Sequence, residues 1–223
     1  MSRRLLAALA AALLLVCGAA VAVAAAPPAP PQPRDVVVPY YDSGQYTRDT
    51  VPVLRRATQA LKRELKHLRR GKKPAIVLDI DDTSLSQYPC RKPGDLPFND
   101  GAQGVNCVQS GALPAIDETR ALYDLAIKRG VKVFFITGRV PGMKDATLKN
   151  LRTEGYTKYA KLVFRPVSDL GNPSVVPFKS GERRKIERAG YDILVNVGDQ
   201  DSDLEGGYAN RTFKLPNPMY FIP

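Results

Sequence analysis

"AIVLDIDDTSLS", residues 75–86, passes within a few positions from an apolar run into three aspartates, Asp79, Asp81 and Asp82, followed at once by Thr83. Ala75 to Leu78, with Pro74 before them, suit a short strand covered on both faces, as in a parallel sheet, better than an alternating surface strand. Carboxylates crowded at the end of such a strand repel one another, and close like charges push at least one pKa up sharply. A bound divalent cation is the natural remedy.

Downstream the chain repeats the pattern. Residues 113–130 read as a helix with Ile116, Leu122, Leu125, Ala126 and Ile127 on one face and Gly130 in the stop position. "VKVFFITGR" (131–139) is a second buried strand, Val131 to Ile136, that ends in Thr137, Gly138 and Arg139. A helix over 143–155, a third strand over 160–165, a helix over 178–190 and a fourth strand, "DILVNVGDQDSD" (192–203), follow. Strands alternating with helices predict an α/β, Rossmann-like parallel sheet with helices on both faces, and a ligand site at the carboxyl ends of its strands.

That rule gathers the unusual residues. Asp79 and Asp81 follow the first strand, Thr137 and Gly138 the second, and Asp199, Asp201 and Asp203 the fourth; Lys179 opens the helix before the fourth strand. Carboxylates from two strands make an oxygen-rich pocket for a hard cation such as Mg²⁺. Thr137, Lys179 and backbone amides after Asp79 then serve an anion, and a nucleophile, a metal and such donors are what phosphoryl transfer requires. Each piece has a plainer reading as a chance string, an acidic surface turn, a strand-ending turn or an exposed lysine. Their order, and their repeated placement after apolar strands, favours the site. Asp82 is assigned only a cap on the following turn.

The N-terminus carries Arg3 and Arg4, an apolar stretch from Leu5 to Val16, and a small-residue ending at Ala24, Ala25 and Ala26. This is the layout of a secretory signal peptide over 1–26, and an exported chain is expected; an uncleaved membrane anchor is the alternative. Cys17 falls in that segment. Cleavage leaves 197 of the 223 residues, an ordinary single domain with no stable membrane insertion of its own. "PPAPPQP" (27–33) makes a stiff tether, taken here to run through residue 39, and the domain is expected over 40–223.

The formal charge of +11 falls to +9 once Arg3 and Arg4 leave. Much of the excess lies in "RRATQALKRELKHLRRGKK" (55–73), where Val53, Leu54, Ala57, Leu61, Leu65 and Leu68 recur at helical spacing, so the stretch reads as an amphipathic helix with a basic, solvated face. It lacks the interleaved aromatics or Gly loops of a nucleic-acid surface, so no specific nucleic acid is expected. Anionic substrates or an anionic cell envelope would both feel its field.

Cys90 and Cys107 bracket a loop rich in Gly, Pro and Asn. In an exported protein such a pair reads as a disulfide, with two free thiols as the alternative. Outside the N-terminal segment that holds Cys17, two cysteines and one histidine exclude a zinc site. His67 alone also excludes a phosphohistidine mechanism and a His-rich dinuclear centre. A cysteine phosphatase needs an arginine six positions after its nucleophile, and Leu96 and Leu113 stand there.

"LDIDDTSLS", "FFITGR", "FKSGERRKIERAGYDILVNVGDQDSDL" and the closing "NRTFKLPNPMYFIP" resemble the haloacid-dehalogenase superfamily, and within it the exported acid phosphatases of the class B/class III kind, close to plant acid phosphatases and vegetative storage proteins. The resemblance implies that Asp79 is the nucleophile and Asp81 the general acid/base. It implies that Thr137, with Gly138, binds phosphate, that Lys179 steadies nucleophile and phosphoryl group, and that Asp199 is a metal ligand supported by Asp203, with Arg139 in a supporting role. Mg²⁺ would be held by Asp79, the main-chain carbonyl of Asp81, and Asp199. Some storage proteins of the family lack the nucleophilic aspartate; this chain keeps Asp79, so activity is expected.

A cap insert over about 84–113 is expected to set substrate choice. It is short for a lid, so the site should stay open to many small phosphate monoesters, with nucleotides as candidates. Tyr88 and Phe98 either stack on a ring of the substrate or pack in the core. A phosphotransferase, a non-catalytic storage or binding protein, and, less favoured, a dehalogenase are the rival functions. The oligomeric state is left open.

Overall fold

The computed structural model describes residues 30–223. The segment over 1–26 expected to be a signal peptide and the start of the expected tether lie outside the described residues. The helices are α1 (Arg34–Asp42), α2 (Gln45–Glu64), α3 (Tyr88–Arg91), α4 (Gly101–Ser110), α5 (Asp117–Lys128), α6 (Lys144–Thr153) and α7 (Val176–Arg188). The strands are β1 (Lys73–Leu78), β2 (Lys132–Thr137), β3 (Lys161–Phe164), β4 (Tyr191–Gly198) and β5 (Thr212–Lys214).

All five strands pair in parallel in the order β3-β2-β1-β4-β5, with β1 at the centre. Its residues from Ala75 to Leu78 are buried, as an apolar run between two neighbours requires. Alternation along β1 splits the core. Ile76 and Leu78 face a layer with Leu54 and Leu61 of α2, Leu122 and Ala126 of α5 and Leu151 of α6. Ala75 and Val77 face Ile186 of α7. The chain leaves β1 toward β2 and β3 on one side and returns to β4 on the other. The crevice between β1 and β4 is therefore a topological switch point, where open α/β sheets bind ligands.

Two expectations change. Residues 34–39, read as tether, form most of helix α1, and Val37 is fully buried against Tyr88, Phe98, Met219 and Tyr220. A valine-rich turn next to a proline run can join a core once a partner surface exists, and here the insert and the C-terminal segment provide it. The short strand β5 was not anticipated; it pairs with β4 through Asn196, Val197 and Gly198.

The insert after β1 holds α3 and α4, joined by the Cys90–Cys107 disulfide, with Cα atoms 5.8 Å apart. Arg34 of α1 donates to the carbonyls of Lys92 and Leu96 at 2.5 and 2.9 Å and stacks over Phe98, tying the N-terminal helix to this insert. Among the described residues no helix is long and apolar enough to cross a membrane.

Candidate active site

Where β1 ends, the backbone turns through Asp82, whose φ of 48° is left-handed and uncommon for a residue with a side chain. Two bonds to its buried carboxylate hold that turn. Gln87 N–H donates to Oδ1 at 2.9 Å and the Tyr220 hydroxyl donates to Oδ2 at 2.7 Å. Asp82 thus does more than cap a turn: it pins the loop after β1 to the C-terminal segment. Burial, only partly offset by these bonds, pushes its carboxyl up to about 7.

Asp79, at the tip of β1, is 6 % exposed. Lys179 Nζ lies 2.5 Å from Asp79 Oδ1, 2.5 Å from Asp203 Oδ1 and 2.9 Å from the Ile136 carbonyl, bridging β1, the turn after β4, and β2. Despite burial, Asp203 and Asp79 raise the Lys179 pKa, so its charge is secure. Asp79, Asp199 and Asp203 each place a carboxylate oxygen within 4.8 Å of the others. Burial and then Asp203 drive the Asp79 carboxyl far above its ordinary range; burial, Asp203 and Asp82 push that of Asp199 up to about 8.

Three buried acids with one lysine cannot all ionise without a further cation, which is why the Asp79 and Asp199 carboxyls are held up. A set of hard carboxylate oxygens at this spacing fits Mg²⁺ or a similar cation. The Asp199 carboxylate is already oriented, by Gln200 at 2.6 Å, Asn217 at 2.7 Å and Thr83 at 3.1 Å. Gly198 makes the triad possible, because a Cβ there would stand 2.3 Å from the Cβ of Asp203. Arg183 of α7 fixes the turn that carries Asp203 by donating to main-chain carbonyls of Asp203, Glu205 and Gly207.

Asp81 faces elsewhere. Arg139 donates to both its oxygens at 3.0 and 2.8 Å, and Gln87 Nε2 donates to Oδ1 at 2.8 Å. Burial alone would raise the Asp81 carboxyl; the charge and hydrogen bonds of Arg139, then Gln87, outweigh it and hold the carboxyl below its ordinary range. The buried carboxylate cluster is therefore Asp79, Asp199 and Asp203, whereas the side chain of Asp81 belongs to Arg139.

These groups line a cavity of about 570 Å³. Gly138, Arg139 and Arg165 stand on its polar side, and Val105 and Val108 of α4, Met143, Phe221 and Ile222 form an apolar flank. Thr137 is buried behind that surface, its Oγ1 accepting from Arg139 N–H at 3.2 Å, which leaves its own hydrogen free to donate.

One sequence expectation is corrected, and one pair of alternatives is decided. Asp201 is exposed at the start of a 3₁₀ turn and is not among the residues lining the cavity. Tyr88 and Phe98 are buried, stacked on each other and, for Tyr88, on Tyr41; they are core and do not line the cavity. Gln87, Arg91, Gln200, Asn217 and Tyr220 were not foreseen as site residues. Arg91 is a buried link, donating to Gln87 Oε1 at 2.7 Å and to the Phe98 and Asp100 carbonyls at 2.5 and 3.0 Å. Gln200 and Gln87 lie within six positions of the aspartates they bind but carry no local pattern that marks them, and Asn217 and Tyr220 reach the site only through the fold.

The chain is similar to the stem 28 kDa glycoprotein of Glycine max, 38% identical over 155 residues that cover 67% of this chain and 61% of the relative. It is 36% identical over 149 residues to acid phosphatase 1 of Solanum lycopersicum, covering 66% and 58% respectively. It thus spans about three fifths of the length of these relatives. It shares its fold with the class C acid phosphatase of Bacillus anthracis, with a TM-score of 0.67 at 20% identity, covering 82% of this chain and 83% of that one. The family model for HAD superfamily subfamily IIIB (acid phosphatase) matches residues 5–223, and with the aspartates and lysine gathered at the switch point, this chain belongs to that family.

Proposed function

We propose that this protein is an exported, Mg²⁺-dependent acid phosphatase that hydrolyses small phosphate monoesters through an aspartyl phosphate on Asp79. The observation that carries the reading is the position of Asp79, buried at the cavity floor and bonded to Lys179 at 2.5 Å beside two further carboxylates. A buried carboxylate next to a fixed cation is a nucleophile held in place.

Asp79, the main-chain carbonyl of Asp81, and Asp199 would hold the metal, with Asp203 supporting; when bound, the ion screens the nucleophile from the charge of the phosphate. Asp79 attacks phosphorus in line. Lys179, Gly138 N–H and the Thr137 hydroxyl neutralise or donate to the phosphoryl oxygens. Asp81 protonates the leaving oxygen and then takes a proton from the water that hydrolyses the aspartyl phosphate, releasing phosphate and restoring the Asp79 carboxylate. Its pairing with Arg139 favours the ionised form, the form needed for the second step. For the first, Arg139 must let go, and an arriving phosphate dianion competes for its guanidinium. The apolar flank suits an apolar or aryl leaving group, with nucleotides as candidate substrates. The disulfide suits an oxidising compartment.

The test is hydrolysis of p-nitrophenyl phosphate by the purified protein with Mg²⁺ and after exhaustive chelation, beside Asp79→Asn. Metal-dependent turnover that Asp79→Asn abolishes is expected. Full turnover after chelation would remove the metal from the mechanism, and ligand binding without any turnover would favour the storage reading.

A further inference from the structure

The amino edge of the sheet, opposite the catalytic cavity, is a concentrated positive pole. Arg70 precedes β1, Lys128 and Arg129 end α5, Lys132 opens β2, and Lys158 and Lys161 lie before and at the start of β3; all are exposed. None of these six side chains has a hydrogen-bond or ion-pair partner among the described residues. Arg188 adds an exposed cation where α7 ends, on the other face of the sheet. The acids of this region are engaged: Glu187 and Asp192 by Arg69, and Glu64 by Arg211.

Folding does not require this concentration. Helix dipoles favour cations at the ends of α5 and α7, but they give no reason for Lys132 and Lys161 at strand starts. Substrate steering does not require it either. β1 has six residues, so the pole lies about 20 Å from the cavity, about two and a half times the screening length at physiological ionic strength. Uncompensated like charges held together cost stability through mutual repulsion, and an external anionic partner relieves that cost.

The layout selects the kind of partner. The cations span the starts of neighbouring strands and the ends of helices on both faces of the sheet, so they form a two-dimensional pole and not a row. A linear polymer would engage one line of them, whereas a surface engages all at once. On the β2–β3 side of the pole lies a cavity of about 490 Å³ in which Lys132 and Lys158 stand beside Tyr159 and an apolar wall of Ile127, Val131, Val133 and Ala160. We infer that this pole docks on an anionic phospholipid surface, with a headgroup phosphate in that cavity and the catalytic mouth turned outward toward soluble substrate.

The experiment measures co-sedimentation of the full chain with phosphatidylcholine vesicles, with and without phosphatidylglycerol. The increment due to phosphatidylglycerol is the readout, since apolar insertion of the N-terminal segment contributes to both. Two charge-matched variants are compared: Arg70→Glu/Lys132→Glu/Lys161→Glu at the pole, and Arg55→Glu/Arg56→Glu/Lys149→Glu on the flanks. The pole variant should lose the increment by at least about 100-fold, the flank variant should retain most of it, and high salt should abolish it. Equal loss in both variants, no preference of the wild type for phosphatidylglycerol, or binding to soluble poly(glycerol phosphate) in its place would overturn the inference. Circular dichroism confirms folding of both variants independently of activity, so failure here and failure of the phosphatase reading are separable.

Discussion

Lys179→Met removes the cation that bridges Asp79 and Asp203 while nearly preserving side-chain length. In the wild type its Nζ contacts two carboxylates at 2.5 Å each, and the lysine side chain is 5 % exposed. Without it, Asp79, Asp199 and Asp203 stand within 4.8 Å of one another with no lysine among them. Removing one partner of a buried ion pair costs about 3–5 kcal/mol, because the remaining charge stays buried without compensation. In a domain of this size 1 kcal/mol moves the melting midpoint by about 2–4 °C, so the chelated variant should melt about 6–20 °C below the chelated wild type. Thermal unfolding followed by circular dichroism in EDTA measures this directly. Two controls isolate the cause. Mg²⁺ should recover a larger part of the loss in the variant than it adds to the wild type, because it replaces a missing positive charge. Asp203→Asn combined with Lys179→Met should recover most of the loss, as a coupled pair in a double-mutant cycle does. Equal melting of variant and wild type in EDTA, or strict additivity with Asp203→Asn, would refute the claim that Lys179 neutralises the cluster.

Asp81→Asn should slow the burst on an alkyl phosphate by about 10²- to 10⁴-fold but spare the burst on p-nitrophenyl phosphate, whose leaving group needs less protonation; equal slowing of both would remove Asp81 as the acid. Reducing Cys90–Cys107, separated by 17 positions, should cost about 3 kcal/mol, read as a lower midpoint in dithiothreitol, with an unchanged midpoint counting against it. The raised carboxyl of Asp199, about 8 in the folded chain, means that the folded state binds more protons than the unfolded state between about pH 4 and pH 8. The chelated protein should therefore lose stability as pH rises through that window, and Mg²⁺ binding near neutral pH should release protons. Calorimetry in buffers of different ionisation enthalpy checks the release, and identical heats would contradict it.

What the sequence by itself determined is the alternating architecture and the members of the site that sit directly at strand ends. Asp79 and Asp199 are legible because an apolar run marks each strand, and a parallel sheet brings carboxyl ends to one edge whatever the loops do. Lys179 is legible because the helix before β4 must start at that same edge. Tertiary structure alone decided how the acids divide their partners. Asp81 and Asp79 are two positions apart, yet one meets Arg139 and Gln87 and the other Lys179, since the turn through Asp82 separates them. Asp203 enters the carboxylate cluster while Asp201 points to solvent, because the absence of a side chain at Gly198 lets the turn fold back. Tyr88 and Phe98 became core, and residues 34–39 became helix, because the insert and C-terminal segment supplied an apolar surface. Some of these partners, such as Asp81 and Arg139 or Asp79 and Lys179, lie 58 and 100 positions apart, and even the nearer ones meet only because the closed fold turns them toward each other.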